Sequence, residues 1–256
     1  MLAGMFTRAI LRRPGADFAL GLTTSAAAAP QLARMLEQHA AYAAALQVLG
    51  LQLEVLEPLA GFPDAYFVED VAVVVPEVAI VTRPGAPSRR EEAAAIGAVL
   101  ARHRRLSRIE PPGTLEGGDV LIVDKAVWVG QSARTNAEGA AQLGHLLAPH
   151  GYEVITVPVA AGLHFKSSVS HVGGDALLTS GQFADLPALR GKRLITADAD
   201  EVQACNSLFV NGTLLMPAGC PKTRRKLAEL GHPIVELDVS EAAKMDGGLT
   251  CMSLRL

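Results

Sequence analysis

The stretch Leu208-Phe-Val-Asn-Gly-Thr-Leu-Leu-Met216 reads as a β-hairpin. Apolar and β-branched residues flank Asn211-Gly212, and a two-residue turn requires positive φ at both central positions, which Asn-Gly supplies. Pro221 then opens a helical stretch, Lys222–Leu230, which Gly231 closes, and a strand-like segment, Pro233–Leu237, follows. The same order of hairpin, helix and strand occurs twice upstream. Val71–Val75/Pro76-Glu77/Val78–Thr82 precedes Ser88–His103 and Arg105–Ile109, and Val120–Val123/Asp124-Lys125/Ala126–Val129 precedes Thr135–His150, Gly151 and Tyr152–Val157. With Leu51–Leu56 and Lys192–Thr196, the strand-like segments number five, and their starts are spaced by 54, 47, 40 and 41 residues. An earlier helix, Gln31–Leu49, closes at Gly50.

The spacing predicts an α/β chain of about five ββαβ repeats, with Phe6–Arg12 donating the missing strand of the last copy. Such circular closure leaves few open sheet edges and turns the inner loop ends of every repeat toward one central pocket. Gly-Gly-Asp recurs at Gly117–Asp119 and Gly173–Asp175, with Asp246-Gly247-Gly248 in the last copy. No interdomain linker is visible, so residues 1–256 read as a single domain.

Composition narrows the class. Half of the 256 residues are hydrophobic but only 4 % are aromatic and 19 % charged, so the core is built from Ala, Val, Leu and Ile and needs no staples. Cys205, Cys220 and Cys251 are odd in number and form no C-x-x-C pair, which speaks against a disulfide framework and against a tetrahedral zinc site. A net charge of −3 does not suit a generic binder of nucleic acid or acidic membranes. Met1–Ile10 is followed by Arg12, Arg13 and Asp17 rather than by an export signal, and the uncharged stretch Phe18–Ala33 is too short and broken to span a bilayer. The expectation is a soluble cytoplasmic protein.

The segment between first strand and hairpin, which should face the axis, is polar and differs from copy to copy. It holds Asp64, Glu69 and Asp70 in the first copy, Glu116 and Asp119 in the second, His164, Lys166 and His171 in the third, and Asp246 and Cys251 in the last. That divergence suggests a site assembled asymmetrically on a symmetric frame. Cys251 follows Gly247-Gly248, which allow close backbone approach, whereas Cys205 and Cys220 read as inert. His164 has the intrinsic pKa for proton transfer at neutral pH, and a carboxylate such as Glu116 could fix its tautomer. Three acids in Phe62–Asp70 suggest a cationic ligand. Arg89 and Arg134 stand at helix openings, where the dipole disfavours cations unless an anionic group is near. The run Lys222, Arg224, Arg225 and Lys226 reads as a solvated face.

The combination Phe62-Pro-Asp-Ala-Tyr-Phe-Val-Glu-Asp70, Thr82-Arg-Pro-Gly85, Ser88-Arg89-Arg90, Gly113-Thr-Leu-Glu-Gly-Gly-Asp119, Ser132-Ala-Arg-Thr-Asn136, Leu163-His164 and Asp246-Gly-Gly-Leu-Thr-Cys-Met-Ser-Leu254 resembles the bacterial dimethylarginine dimethylaminohydrolase family, in order, from about Phe6 to Leu256. The resemblance implies a five-bladed, pseudo-symmetric α/β propeller of the guanidine-modifying (pentein) superfamily. It implies a thiol hydrolase of Nω-methylated arginines that releases citrulline through a covalent S-alkylthiouronium on Cys251. His164 would be the acid and then base, and Glu116 its partner. Asp70 would hold the guanidinium with Glu69 adjacent, Asp64 the α-ammonium, and Arg89 and Arg134 the α-carboxylate. Leu22, in the loop Gly21–Ser25, would close as a lid through its backbone, and Met245 would contribute its backbone near the nucleophile.

The resemblance implies no metal and no organic cofactor, and a small-molecule partner rather than nucleic acid or membrane; a homodimer is left open. Relatives that act on free arginine carry His-x-Asp where this chain has His164-Phe165-Lys166, which favours methylated arginines. The alternatives are an arginine deiminase or amidinotransferase activity, or a non-catalytic propeller that serves as a binding module.

Overall fold

Short β-branched runs on either side of tight turns make antiparallel pairs, and the Ala- and Leu-rich stretches behind them return the chain to pair in parallel. The computed structural model describes residues 5–159 and 162–256. The first four residues of the Met1–Ile10 stretch therefore lie outside the described residues. In chain order the elements are β1 (Arg8–Arg12), α1 (Leu32–Val48) and β2 (Gln52–Leu56). There follow β3 (Ala72–Val74), β4 (Ala79–Val81), α2 (Glu92–Leu100) and β5 (Leu106–Arg108), then β6 (Val120–Val123), β7 (Ala126–Gln131), α3 (Ala137–Leu147) and β8 (Glu153–Pro158). The chain goes on through β9 (Val169–His171), β10 (Ala176–Thr179), β11 (Arg193–Thr196), β12 (Leu208–Val210), β13 (Thr213–Pro217), α4 (Pro221–Ala228), β14 (Ile234–Leu237), α5 (Ser240–Ala243) and β15 (Leu254–Arg255).

Five three-stranded sheets result, ordered β15-β1-β2, β3-β4-β5, β6-β7-β8, β9-β10-β11 and β12-β13-β14. In each, the first pair is antiparallel and the second parallel. The fold is the expected ring of ββαβ units. β1 closes it, pairing Ile10 with Leu254 on one side and Ile10 with Glu54 on the other. As the middle strand it is buried, and Ala9, Ile10 and Leu11 are inaccessible to solvent. The buried apolar residues form five separate clusters rather than one core. Among the described residues no helix is long and apolar enough to cross a membrane.

One hairpin was not read from the sequence, and two expectations are corrected. The hairpin of the unit after β8 is the one not read: it joins Val169-Ser170-His171 to Ala176–Thr179 and turns at Gly173 and Gly174, both at positive φ, and its first strand is too short to show a pattern. That unit connects β10 to β11 without an α-helix, using 3-10 turns at Gly181–Phe183 and Pro187–Leu189, because Gly181 and Pro187 interrupt any longer helix. The expected helix Ser88–His103 splits into a 3-10 turn at Pro87–Arg89 and the shorter α2.

The Asn211-Gly212 turn does more than join two strands. Asn211 has φ 47° and Gly212 φ 85°, as the hairpin requires. The Asn211 Oδ1 accepts from the Phe6 N–H at 2.9 Å, and its Nδ2 donates to the carbonyls of Phe6 at 2.9 Å and Leu49 at 3.0 Å. It thereby clamps the segment entering β1. Asn211→Gly, which keeps the turn and loses the clamp, is expected to cost about 2 kcal/mol in urea unfolding. Asn211→Ala should cost about 1 kcal/mol more because it also strains the turn. Equal stability of the glycine variant and the parent would exclude the clamp.

Candidate active site

Each unit inserts a single 3-10 turn just before its hairpin or closing strand: Val68–Val71, Gly117–Asp119, Phe165–Ser167, Val202–Cys205 and Thr250–Met252. These turns converge at one end of the ring, and most of the polar residues singled out by sequence sit in or beside them. A small space of about 20 Å³ lies there, lined by Leu22, Asp64, Asp70, Arg89, Arg134, His164, Met245, Asp246 and Cys251 among others. That is room for about one water.

His164 precedes its 3-10 turn and is buried. Its Nε2 is 2.7 Å from Glu116 Oε2, and its Nδ1 is 3.9 Å from Asp70 Oδ1. A carboxylate accepts only, so Nε2 carries the proton shared with Glu116 and Nδ1 is left for exchange. Burial works against the imidazolium, but Asp70, Glu116 and Asp119 outweigh it and raise the His164 pKa to about 8. Glu116 is also held by the Ala86 N–H and by Arg134 Nη1 at 3.3 Å. Gly118 is required here, since a Cβ would stand 2.7 Å from the imidazole ring.

Asp119 fixes this arrangement from behind. One of its oxygens accepts the hydroxyls of Ser132 and Thr135 at 2.7 Å, and the other accepts the Phe165 N–H at 2.9 Å. Thr135 in turn accepts the Glu116 N–H, and Ser132 accepts the Arg134 N–H. One carboxylate thus sets the backbone beside His164, Glu116 and Arg134.

Cys251 is the partly buried member of the three free cysteines; Cys205 and Cys220 are buried. Burial and the nearby carboxylates of Glu69 and Asp70 raise its thiol to about 11, partly offset by hydrogen bonds from the Gly248 backbone and the Asn206 side chain. Without a cation in the pocket the group is therefore a neutral thiol at pH 7.

The loop Gly21–Ser25 borders this space through Leu22. The Leu22 N–H donates to both Asp64 carboxylate oxygens at 3.1 Å, and Thr24 donates to Asp246 Oδ2 through its backbone and its hydroxyl. Burial raises the Asp64 pKa against the pull of Arg89 and the Leu22 N–H. The Met245 side chain lies beside the loop, its Cε 3.2 Å from where a Cβ on Gly21 would stand.

The acids of Phe62–Asp70 do not act as one group. Asp70 bonds Arg89 Nη1 at 2.5 Å and the Gly118 N–H at 3.1 Å, and its pKa is lowered, burial being outweighed by His164 and Arg89. Glu69, expected beside it, faces away. It pairs with Lys166 at 2.6 Å and Arg255 at 3.1 Å and lines a separate cavity of about 180 Å³. Lys166 is turned the same way, so the third residue of His164-Phe165-Lys166 does not line the Cys251 pocket.

Arg89, expected to await an anionic ligand, is already answered from within. It bonds Asp70, Glu92 and the carbonyls of Asp64 and Phe67. Glu92 was absent from the sequence reading although burial raises its pKa to about 7. Arg134 sits in the turn before α3, whose true N-cap is Asn136, bonded to the Gly139 N–H at 2.8 Å. Asp70, Glu116 and His164 also present three ligand atoms within 4.8 Å of one another, a donor set a metal ion could use.

The chain is similar to known proteins along its whole length. The family model described as N,N dimethylarginine dimethylhydrolase, eukaryotic, matches residues 23–178. The chain is 42 % identical to the N(G),N(G)-dimethylarginine dimethylaminohydrolase of Pseudomonas aeruginosa over 98 % of this chain and 100 % of that one. It is 38 % identical to the enzyme of the same name from Streptomyces coelicolor, over 97 % and 96 % of the two chains. A solved structure of the Pseudomonas aeruginosa protein, a cysteine-to-serine mutant complexed with citrulline, superposes with a TM-score of 0.97 at 41 % identity, over 98 % of this chain and 100 % of that one.

The charged neighbourhood of His164 has a measurable sign. Its folded pKa of about 8 lies above the ordinary 6.5, so folding takes up a proton. The stabilisation is complete below pH 6.5 and is lost as pH rises through 8, by up to about 2 kcal/mol. In NMR titration of the ring proton, Glu116→Gln should move the His164 midpoint downward; an unmoved midpoint would exclude Glu116 as a source of the shift.

Proposed function

The chain belongs to the dimethylarginine dimethylaminohydrolase family, and on that premise we propose that it hydrolyses Nω,Nω-dimethylarginine and Nω-monomethylarginine to citrulline, releasing dimethylamine or methylamine, with Cys251 as nucleophile. The observation that carries this reading is that one pocket is lined by Cys251, His164, Asp70, Asp64 and Arg134. A thiol, an acid/base, and carboxylates opposite an arginine match the reacting carbon, its cation and the two charges of an amino-acid end.

To admit substrate, the loop Gly21–Ser25 lifts and the α-ammonium takes over the Asp64 carboxylate from the Leu22 N–H. The α-carboxylate goes to Arg134 with Arg89 beside it, Arg134 supplying the larger share because Asp70 and Glu92 already neutralise Arg89. Asp70 faces the guanidinium. Arrival of that cation reverses the field that keeps the Cys251 thiol neutral, and its proton leaves to solvent.

The thiolate attacks the guanidinium carbon to give a tetrahedral adduct. His164, protonated at neutral pH, gives its proton to the methylated nitrogen, and the C–N bond breaks to free the amine. The remaining S-alkylthiouronium is attacked by water, which passes a proton to His164. Collapse of the second adduct breaks the C–S bond, the thiolate takes the hydroxyl proton, and citrulline leaves. Position 166 brings no carboxylate to the second edge of the guanidinium, because Lys166 turns to Glu69. That edge can therefore hold a dialkylated nitrogen, which favours methylated arginines over free arginine. The free cysteines suit a reducing compartment, in line with a cytoplasmic location.

Citrulline release from dimethylarginine, monomethylarginine and arginine tests the proposal. Both methylated substrates should turn over faster than arginine; equal or faster turnover of arginine would sink the substrate assignment. Cys251→Ser should lower kcat by at least about 10³-fold, and mass spectrometry of the quenched parent should find the adduct on Cys251. Arg134→Met should raise KM by about 10-fold or more with a smaller effect on kcat.

A further inference from the structure

Four of the five 3-10 turns deliver a residue already placed in the site: Asp70, Glu116, His164 and Cys251. The equivalent turn of the remaining unit, Val202–Cys205, ends at Asn206. We infer that Asn206 is a further catalytic residue, whose side-chain amide holds the Cys251 sulfur and stabilises its thiolate. The inference rests on Cys251 being the nucleophile.

The orientation of the amide is not free. Asn206 Oδ1 accepts the Thr250 N–H at 2.9 Å, which leaves Nδ2 to face Cys251 Sγ at 3.7 Å. Gly248 makes room for it, since a Cβ there would stand 2.4 Å from Asn206 Cγ. The Gly248 backbone also hydrogen-bonds the thiol. Two neutral donors therefore converge on a sulfur that two carboxylates, Glu69 and Asp70, disfavour as an anion.

Neutral donors suit this reaction better than a cation would. A lysine or arginine against the sulfur would lower its pKa but would also repel the substrate guanidinium and compete with it for Asp70. An amide N–H stabilises the thiolate at attack, and again when the second adduct expels it, without adding charge. The other side of Asn206 borders a cavity of about 540 Å³ lined by Gly247, Gly248 and Asp238 among others, so the amide also forms part of the wall between that space and the nucleophile.

The test compares Asn206→Ala with Asn206→Asp. The aspartate keeps an acceptor for the Thr250 N–H but replaces the donor with a second acceptor, so it separates support of the loop from stabilisation of the thiolate. Alkylation of Cys251 by iodoacetamide at pH 8.5, followed by mass spectrometry, reads the thiolate fraction without substrate; the other two cysteines are buried. Asn206→Ala should react about 10-fold more slowly, and Asn206→Asp more slowly still.

The kcat/KM profile of either variant should move to higher pH by about one unit. Thermal unfolding shows whether each variant is folded; if alanine is not, the aspartate alone decides. An Asn206→Asp protein that is folded and alkylated as fast as the parent overturns the inference. If the parent releases no citrulline, or Cys251→Ser releases it undiminished, the proposed function fails instead, and the alkylation result still reports on Asn206.

Discussion

A carboxylate taken out of water must be met by cations or hydrogen-bond donors, and at the pocket end of this ring that requirement ties the units together. Asp70 reaches from its turn to the Gly118 N–H of the next unit, Glu116 of that unit to His164 of the following one, and Lys166 back to Glu69. Arg255, on the closing strand, completes the circuit at Glu69. Arg89 meets the Asp70 carboxylate and two carbonyls of the 64–70 segment, and Glu92 of α2 besides, so the acidic loop and its cation hold each other in place. Removing one partner from such a network leaves a buried charge uncompensated, at about 3–5 kcal/mol. The geometry of the Cys251 pocket and the stability of the ring therefore draw on the same contacts.

The repeat made the frame legible because local rules and global architecture agree. Asn211-Gly212 specifies its turn, the apolar run of β1 suits a strand covered on both faces, and the helix boundaries follow Pro221, Gly151 and Gly231. Legibility ended where a 3-10 turn decides direction. Such a turn has about three residues per revolution, so neighbours point about 120° apart. Glu69 and Asp70 are adjacent in sequence, yet one looks into the Cys251 pocket and the other into a different cavity. Lys166 turns from His164 for the same reason.

Asn206 was missed on other grounds. It carries no charge, follows a cysteine that is itself inert, and belongs to no pattern; only its equivalence to the other turns marks it. Arg89 and Glu92 show a related blind spot. Their spacing would suit an exposed helical pair, and nothing in the sequence says that both are buried against Asp70. The symmetric frame fixes where side chains enter, and the proposed chemistry rests on a different residue standing at each equivalent turn: acid, acid, imidazole, amide and thiol.

β1 has a consequence for the order of assembly. Four of the sheets pair segments close in sequence, so each can form with a modest loss of chain entropy. The fifth sets Ile10 against Leu254 and so carries the largest loop-closure cost in the molecule. The 3-10 turn that seats Cys251 leads directly into the strand that makes this last pairing. The position of the thiol is thus tied to the seam being shut, because the turn that carries it runs straight into the strand that shuts it.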